Sequence, residues 1–123
     1  MKVEKLLRDR GLAGFGDSLV NFLYSLAATR KYGRPMGLKV GNRALAEAVR
    51  RSKFRELLPR RVDRKTMGDY AEALIAYAWL KKLVTTDSCV EILAENVDSP
   101  VDAFTDLLKT VMEALKGYEG EDC

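Results

Sequence analysis

Two segments of the chain place carboxylates beside strongly apolar runs. Asp17 opens one run, and Asp69 and Glu72 lie three residues apart at the start of another. Residues three apart share one face of a helix. A carboxylate among core-forming residues costs free energy unless a positive charge meets it. A divalent metal ion or an arginine can supply that charge, and the spacing alone leaves both open.

Composition restricts the chemistry further. The chain has no histidine, which excludes Ser-His-Asp and Cys-His catalysis and metal sites built on imidazole. Cys89 and Cys123 are far apart and form no Cys-x-x-Cys pair, so we expect neither a disulfide framework nor a zinc site, and a reduced cytoplasmic location. The absence of glutamine and the abundance of lysine, arginine and glutamate are typical of a thermophile.

The length of 123 residues predicts one domain, which we place at residues 1–116, with an acidic flexible tail at 117–123. No apolar run approaches the roughly 20 residues that a membrane helix needs. The charged N-terminus lacks the long apolar stretch of a secretory signal. We therefore expect no membrane partner.

Apolar periodicity predicts helices throughout and no strand, so the fold class is all-α. Glycine should end the first helix at Gly11 and the second at Gly33. Asn42 is the predicted N-cap of the third helix. Thr66 is the predicted N-cap of the helix that carries Asp69 and Glu72, with Asp69 at the capping-box position. The predicted helices cover residues 2–10, 17–32 and 42–51, a short turn at 54–58, and stretches that begin at Thr66, at Thr86 or Asp87, and at Ser99-Pro100.

If the two central helices pack together, Asp17, Asp69 and Glu72 converge. The small Ala76, one turn beyond Glu72, would let another helix approach. Such an oxygen-rich cluster suits Mg²⁺ or Mn²⁺. The alternatives are that the aspartates favour helix N-termini through the dipole, and that Glu72 pairs with an arginine.

Three motifs in order resemble the signature regions of the ribonuclease III catalytic domain. They are Gly16-Asp17-Ser18-Leu19, Val40-Gly41-Asn42-Arg43-Ala44-Leu45-Ala46 and Asp69-Tyr70-Ala71-Glu72-Ala73-Leu74-Ile75. The resemblance runs from about residue 9 to residue 95. It implies an all-helical homodimer that cleaves double-stranded or structured RNA with Mg²⁺, or with Mn²⁺. It also implies that Asp17, Asp69 and Glu72 hold the metal and orient the attacking water.

The first signature departs from the family pattern. The bacterial form reads Glu-x-x-Glu-Phe-Leu-Gly-Asp, whereas Arg10 and Ala13 stand at the two glutamate positions here. The second glutamate is a metal ligand in the full-length enzymes. The chain is similar to the short Mini-ribonuclease III branch and to an archaeal group of like length, which lack a double-stranded-RNA-binding domain. Two alternatives follow: a catalytically inactive RNA-binding or scaffold protein on this fold, and an unrelated dimerising helical domain.

A basic stretch between residues 50 and 65 can attract a phosphate backbone, although taken alone it is more often a solvated charged surface. For Asn42 the alternative to RNA binding is a helix-capping role, and for Lys39 it is that of a solvated loop lysine. The candidate RNA-binding residues are Lys39, Asn42, Arg43, Arg50, Arg51, Arg60, Arg61, Arg64 and Lys65.

Overall fold

The computed structural model describes the backbone of residues 3–121 and the side chains of residues 5–118. Over that range the fold is entirely helical and has no strand, which confirms the all-α prediction. None of these helices has both the length and the apolar character needed to cross a membrane. The helices are α1 Val3–Leu7, α2 Arg10–Tyr32, α3 Asn42–Arg51, a 3₁₀ turn Phe54–Leu57, α4 Arg64–Leu80, α5 Thr86–Glu95 and α6 Pro100–Glu121.

Helix α4 is the centre of the fold. Every residue from Ala71 to Ala78 is buried, because α1, α2, α3 and α6 all pack around this helix. The most extensive of these contacts is with α2. A helix covered on every side should carry apolar or small residues. Glu72 is the one charged residue in that buried run.

Helix α2 begins earlier than the sequence predicts. Asp9 is its N-cap and accepts a hydrogen bond from the Leu12 backbone N–H at 3.0 Å. Gly11 therefore lies inside α2, and the prediction that it ends the first helix is wrong. Asp17 is two turns inside the helix. The favourable interaction of an acid with the N-terminal dipole falls off within the first turn of a helix. The dipole therefore does not explain why an acid occupies position 17.

The starts of α3 and α4 also differ from the predicted caps. Asp63, not Thr66, caps α4, and its carboxylate accepts from the Thr66 backbone N–H at 2.7 Å. Asp69 consequently lies in the second turn of α4, beyond the capping-box position. Gly41 occupies the N-cap position of α3, and Asn42 is the first helical residue, with no side-chain cap bond at this helix start. The side chains of Asp69 and Asn42 are thus free for other contacts.

The remaining ends follow the sequence. Gly33 ends α2 in the left-handed conformation, with φ of 69°. Thr85 and Ser88 form a capping box at the start of α5, and α6 begins at Pro100. Helix α6 continues through the expected tail boundary at Gly117 to Glu121. Residues 122 and 123, including Cys123, lie outside the described residues.

A polar stripe on α2 fastens the connection to α3. Side chains at every fourth position of the helix bond to the backbone at every second position of the segment 36–40. Four helical residues rise about 6 Å, and two extended residues span about 6.6 Å, so the two spacings match. The antiparallel pairs are Asn21 with Val40 (2.8 Å), Ser25 with Leu38 (2.7 and 3.0 Å) and Thr29 with Met36 (2.9 and 3.3 Å).

Candidate active site

Gly16 brings the backbone of α2 into contact with the backbone of α4. A Cβ atom at position 16 would lie 2.2 Å from the Glu72 carbonyl oxygen and 2.5 Å from its carbonyl carbon. These distances involve rigid backbone, so a side chain at position 16 would require the helices to separate. The sequence suggests Ala76 as the residue that permits close approach, but the backbone contact lies at Gly16.

Gly68 makes a similar approach possible one turn earlier on α4. A Cβ atom there would lie 2.9 Å from Oδ1 of Asn42, the first residue of α3. Each of these glycines directly precedes an aspartate, in Gly16-Asp17 and Gly68-Asp69. Glycine inside a helix costs about 1 kcal/mol relative to alanine. In the sequence, a glycine inside a helix and directly before an aspartate occurs at both places, and this repeated pattern indicates that three helices meet here.

The meeting point forms a depression of about 610 Å³. Its walls include all three predicted carboxylates, Asp17, Asp69 and Glu72, together with Asn42. The structure therefore brings together the acids that the sequence places on separate helices. The rest of the lining is Arg10, Ala13, Gly14 and Lys65. Of these four, only Lys65 belongs to the residue set selected from the sequence.

Glu72 is the most constrained of the three acids. Only 4% of the residue is exposed. Burial raises the pKa of Glu72 to about 8, and a hydrogen bond to Asp17 and the negative charges of Asp17 and Asp69 act in the same direction. Asp17 is exposed and accepts a long hydrogen bond, 3.4 Å, from the Asn21 side chain. No arginine or lysine forms a salt bridge with Glu72 within the described part of the chain.

The donor set has the chemistry of a hard-cation site. It combines carboxylate oxygens with an amide oxygen, and its buried acid has no salt-bridge partner among the described residues. Across the described residues, however, no three acidic or cysteine side chains stand in an arrangement ready to hold a metal ion. Mg²⁺ commonly binds through one or two carboxylates and keeps several waters. The residues fit a cation held in that way, but not a preformed three-carboxylate cage.

The predicted RNA-binding residues divide into groups. Asn42 and Lys65 line the carboxylate depression. Their sequence neighbours Arg43 and Arg64, with Arg50, line a second depression of about 530 Å³. The two hollows are thus flanked by consecutive residues at the starts of α3 and α4.

The other basic residues lie outside both hollows. Arg51 pairs with Glu47 at 3.4 Å and with Asp102 at 3.3 Å. Lys39, Arg60 and Arg61 are exposed. Exposed ion pairs such as the two formed by Arg51 contribute little to the stability of a fold.

Replacing Gly16 should test the helix contact. We expect Gly16→Ala to destabilise the fold by about 3 kcal/mol, because the new methyl group meets the Glu72 backbone. Gly14→Ala is the matched control on the same helix, since a Cβ there meets nothing within 4 Å. That control should be neutral or stabilising by about 0.5–1 kcal/mol. Urea unfolding measures both, and equal effects would contradict the contact.

The buried acid should make stability depend on pH. Glu72 has a pKa near 8 in the fold and near 4.3 when unfolded. Between these values the folded state holds a proton that the unfolded state has released, so stability falls as pH rises. Glu72→Gln removes this penalty. In the presence of a chelator, we expect the variant to match the wild type near pH 4.5 and to exceed it by roughly 2–4 kcal/mol at pH 8. A constant difference across that range in urea unfolding would refute the assignment.

A comparison of the sequence with models of known protein families gives a match. The family model described as Ribonuclease III matches residues 10–119. A search of curated proteins gave no match.

Proposed function

This chain belongs to the ribonuclease III family, and from that premise we propose that it is a metal-dependent endoribonuclease acting on double-stranded or structured RNA. Family membership suggests RNA cleavage. The observation that supports the finer proposal is the convergence of Asp17, Asp69 and Glu72 on one depression. Since the family match spans most of the chain, an accidental resemblance of an unrelated dimerising domain is set aside.

In the proposed mechanism, Asp17, Asp69 and Glu72 would hold Mg²⁺ or Mn²⁺, one or two of them directly and the rest through its waters. They would orient the attacking water by accepting its hydrogen bonds. The bound cation supplies positive charge that polarises the scissile phosphate and lowers the pKa of water. The contact at Gly16 keeps the Glu72 backbone against α2 and so keeps this acid near Asp17. Asn42, held against Gly68, offers its side-chain amide to the substrate at the edge of the same depression.

The RNA backbone would follow the two adjacent hollows. Lys65 lies in the first, and Arg43, Arg50 and Arg64 lie in the second. Arg50 is also paired with Glu47 at 3.2 Å. We assign the phosphate contacts chiefly to Arg43, Arg64 and Lys65, which form no salt bridge among the described side chains. Such contacts make RNA affinity fall as salt concentration rises.

An exposed apolar face is the proposed homodimer interface. Phe15 and Phe22 lie two turns apart on α2 and are 41% and 53% exposed. Phe15 packs on the half-buried Trp79 ring at 5.8 Å between centroids, and the next residue, Leu80, is 52% exposed. Clustered exposed aromatic groups favour a protein contact over solvent. Phe15 adjoins Gly14 and Gly16, so this interface would border the depression.

One observation favours a second candidate function. Ala13 lines the depression and offers no oxygen. With one fewer ligand than the family pattern, the protein could bind structured RNA as a scaffold without cleaving it. Fold membership does not by itself establish activity.

Cleavage of long double-stranded RNA, with and without Mg²⁺ or Mn²⁺, separates the two functions. We expect metal-dependent cleavage, and a loss of roughly 100-fold or more in Glu72→Gln and Asp17→Asn because each removes a charged ligand. Asp87→Asn is the control, since Asp87 pairs on the surface with Arg30 at 3.0 Å. Salt-sensitive RNA binding without cleavage in either metal would refute the enzyme and favour the scaffold.

A charged substitution tests the proposed homodimer interface. Phe22→Asp should convert a dimer into a monomer in light scattering, because it places a carboxylate within an apolar contact. Leu57→Asp is a matched control on the 3₁₀ turn, where Leu57 is 54% exposed. A wild-type monomer, or a dimer that survives the Phe22 change and not the Leu57 change, would contradict the assignment.

A further inference from the structure

The carboxylate depression also holds two cations. Arg10 and Lys65 line it together with Asp17, Asp69 and Glu72. Neither cation forms a salt bridge within the described part of the chain. Lys65 contributes a minor part of the effect that lowers the pKa of Asp63, whose main cause is hydrogen bonding with Thr66. Both cations are exposed and remain available to a ligand.

The lining of α2 leaves space between a cation and an acid. Arg10, Ala13, Gly14 and Asp17 are spaced three and four residues apart, so they form one stripe on the helix. The two middle residues are the smallest available, and a Cβ at Gly14 would meet nothing within 4 Å. An anion over Ala13 and Gly14 would therefore have Arg10 on one side and, on the other, the cation that Asp17 would hold.

Charge balance limits what the depression can take. Three carboxylates and two cations leave one net negative charge when all are ionised. One divalent ion and one phosphodiester bring the total to zero. A second divalent ion would leave the occupied site doubly positive and would lie near Arg10 and Lys65, which repel it.

We propose that the depression binds a single divalent cation, and that Arg10, assisted by Lys65, holds the reacting phosphate of the RNA in place of a second metal ion. This inference rests on the proposed nuclease function. Arg10 is suited to the role because its planar guanidinium can donate two parallel hydrogen bonds to a phosphate. Lys65 adds a point charge.

Metal stoichiometry gives the first test. Calorimetric titration of the wild-type protein with Mn²⁺ should give one ion per chain. Two ions per chain would overturn the inference while leaving the nuclease proposal intact. Absence of any Mn²⁺ binding would overturn both.

The second test separates the metal from the phosphate. In Arg10→Ala, we expect Mn²⁺ to bind more tightly, because a repelling charge is gone. Affinity for a short fluorescent RNA duplex, measured by anisotropy in Ca²⁺, should fall about tenfold. Arg10→Lys should restore part of the RNA affinity. A structural role for Arg10 would instead lower the melting temperature and weaken both affinities together.

Arg34→Ala is the control, because Arg34 is exposed beyond the far end of α2, and that end lies roughly 33 Å from Arg10 along the helix. It should leave both affinities unchanged. RNA affinity unaltered in Arg10→Ala, or lowered equally in Arg34→Ala, would overturn the assignment of Arg10. If the wild type still cleaves RNA in that case, only the inference fails.

Discussion

The backbone contact between α2 and α4 at Gly16 is the constraint on which the site depends. With no side chain between them, the two helices bring Asp17, the next residue on α2, beside Glu72 on α4. The same contact helps bury Glu72, since α4 is covered on all sides. Gly68 repeats the arrangement towards α3 and fixes Asn42. The chemical groups are thus positioned by the absence of side chains at two helical positions.

The carboxylates of the site lower the stability of the fold. A buried acid facing two other carboxylates is favoured only when it is protonated or when a cation lies beside it. Folding and cation binding are therefore linked, since a cation that binds only the folded chain stabilises it by mass action. The apolar residues around Glu72 on α4, buried from Ala71 to Ala78, compensate for this local cost.

The sequence predicts the all-α class and the acids that share the site, because apolar periodicity and the motifs that carry the acids are local patterns. It misplaces the start of α2 because Gly11 resembles a helix end, and it shifts the caps of α3 and α4 because a neighbouring residue is an equally good cap. Asp63 and Thr66 are both good N-caps, and only the packed chain selects Asp63. Arg10 was missed for a related reason. Its stripe with Asp17 exists only if both lie in one helix, and the predicted break at Gly11 separates them.

The fastening of segment 36–40 to α2 has a consequence for chain length. Surface connections usually tolerate insertions and deletions. Here alternate backbone groups meet Asn21, Ser25 and Thr29 in a fixed antiparallel register. Adding or removing a single residue would turn the bonding groups to the opposite side of an extended segment. The number of residues between Gly33 and Asn42 is therefore as much a determinant of this protein as any side chain, and related chains should vary there in residue type but not in length.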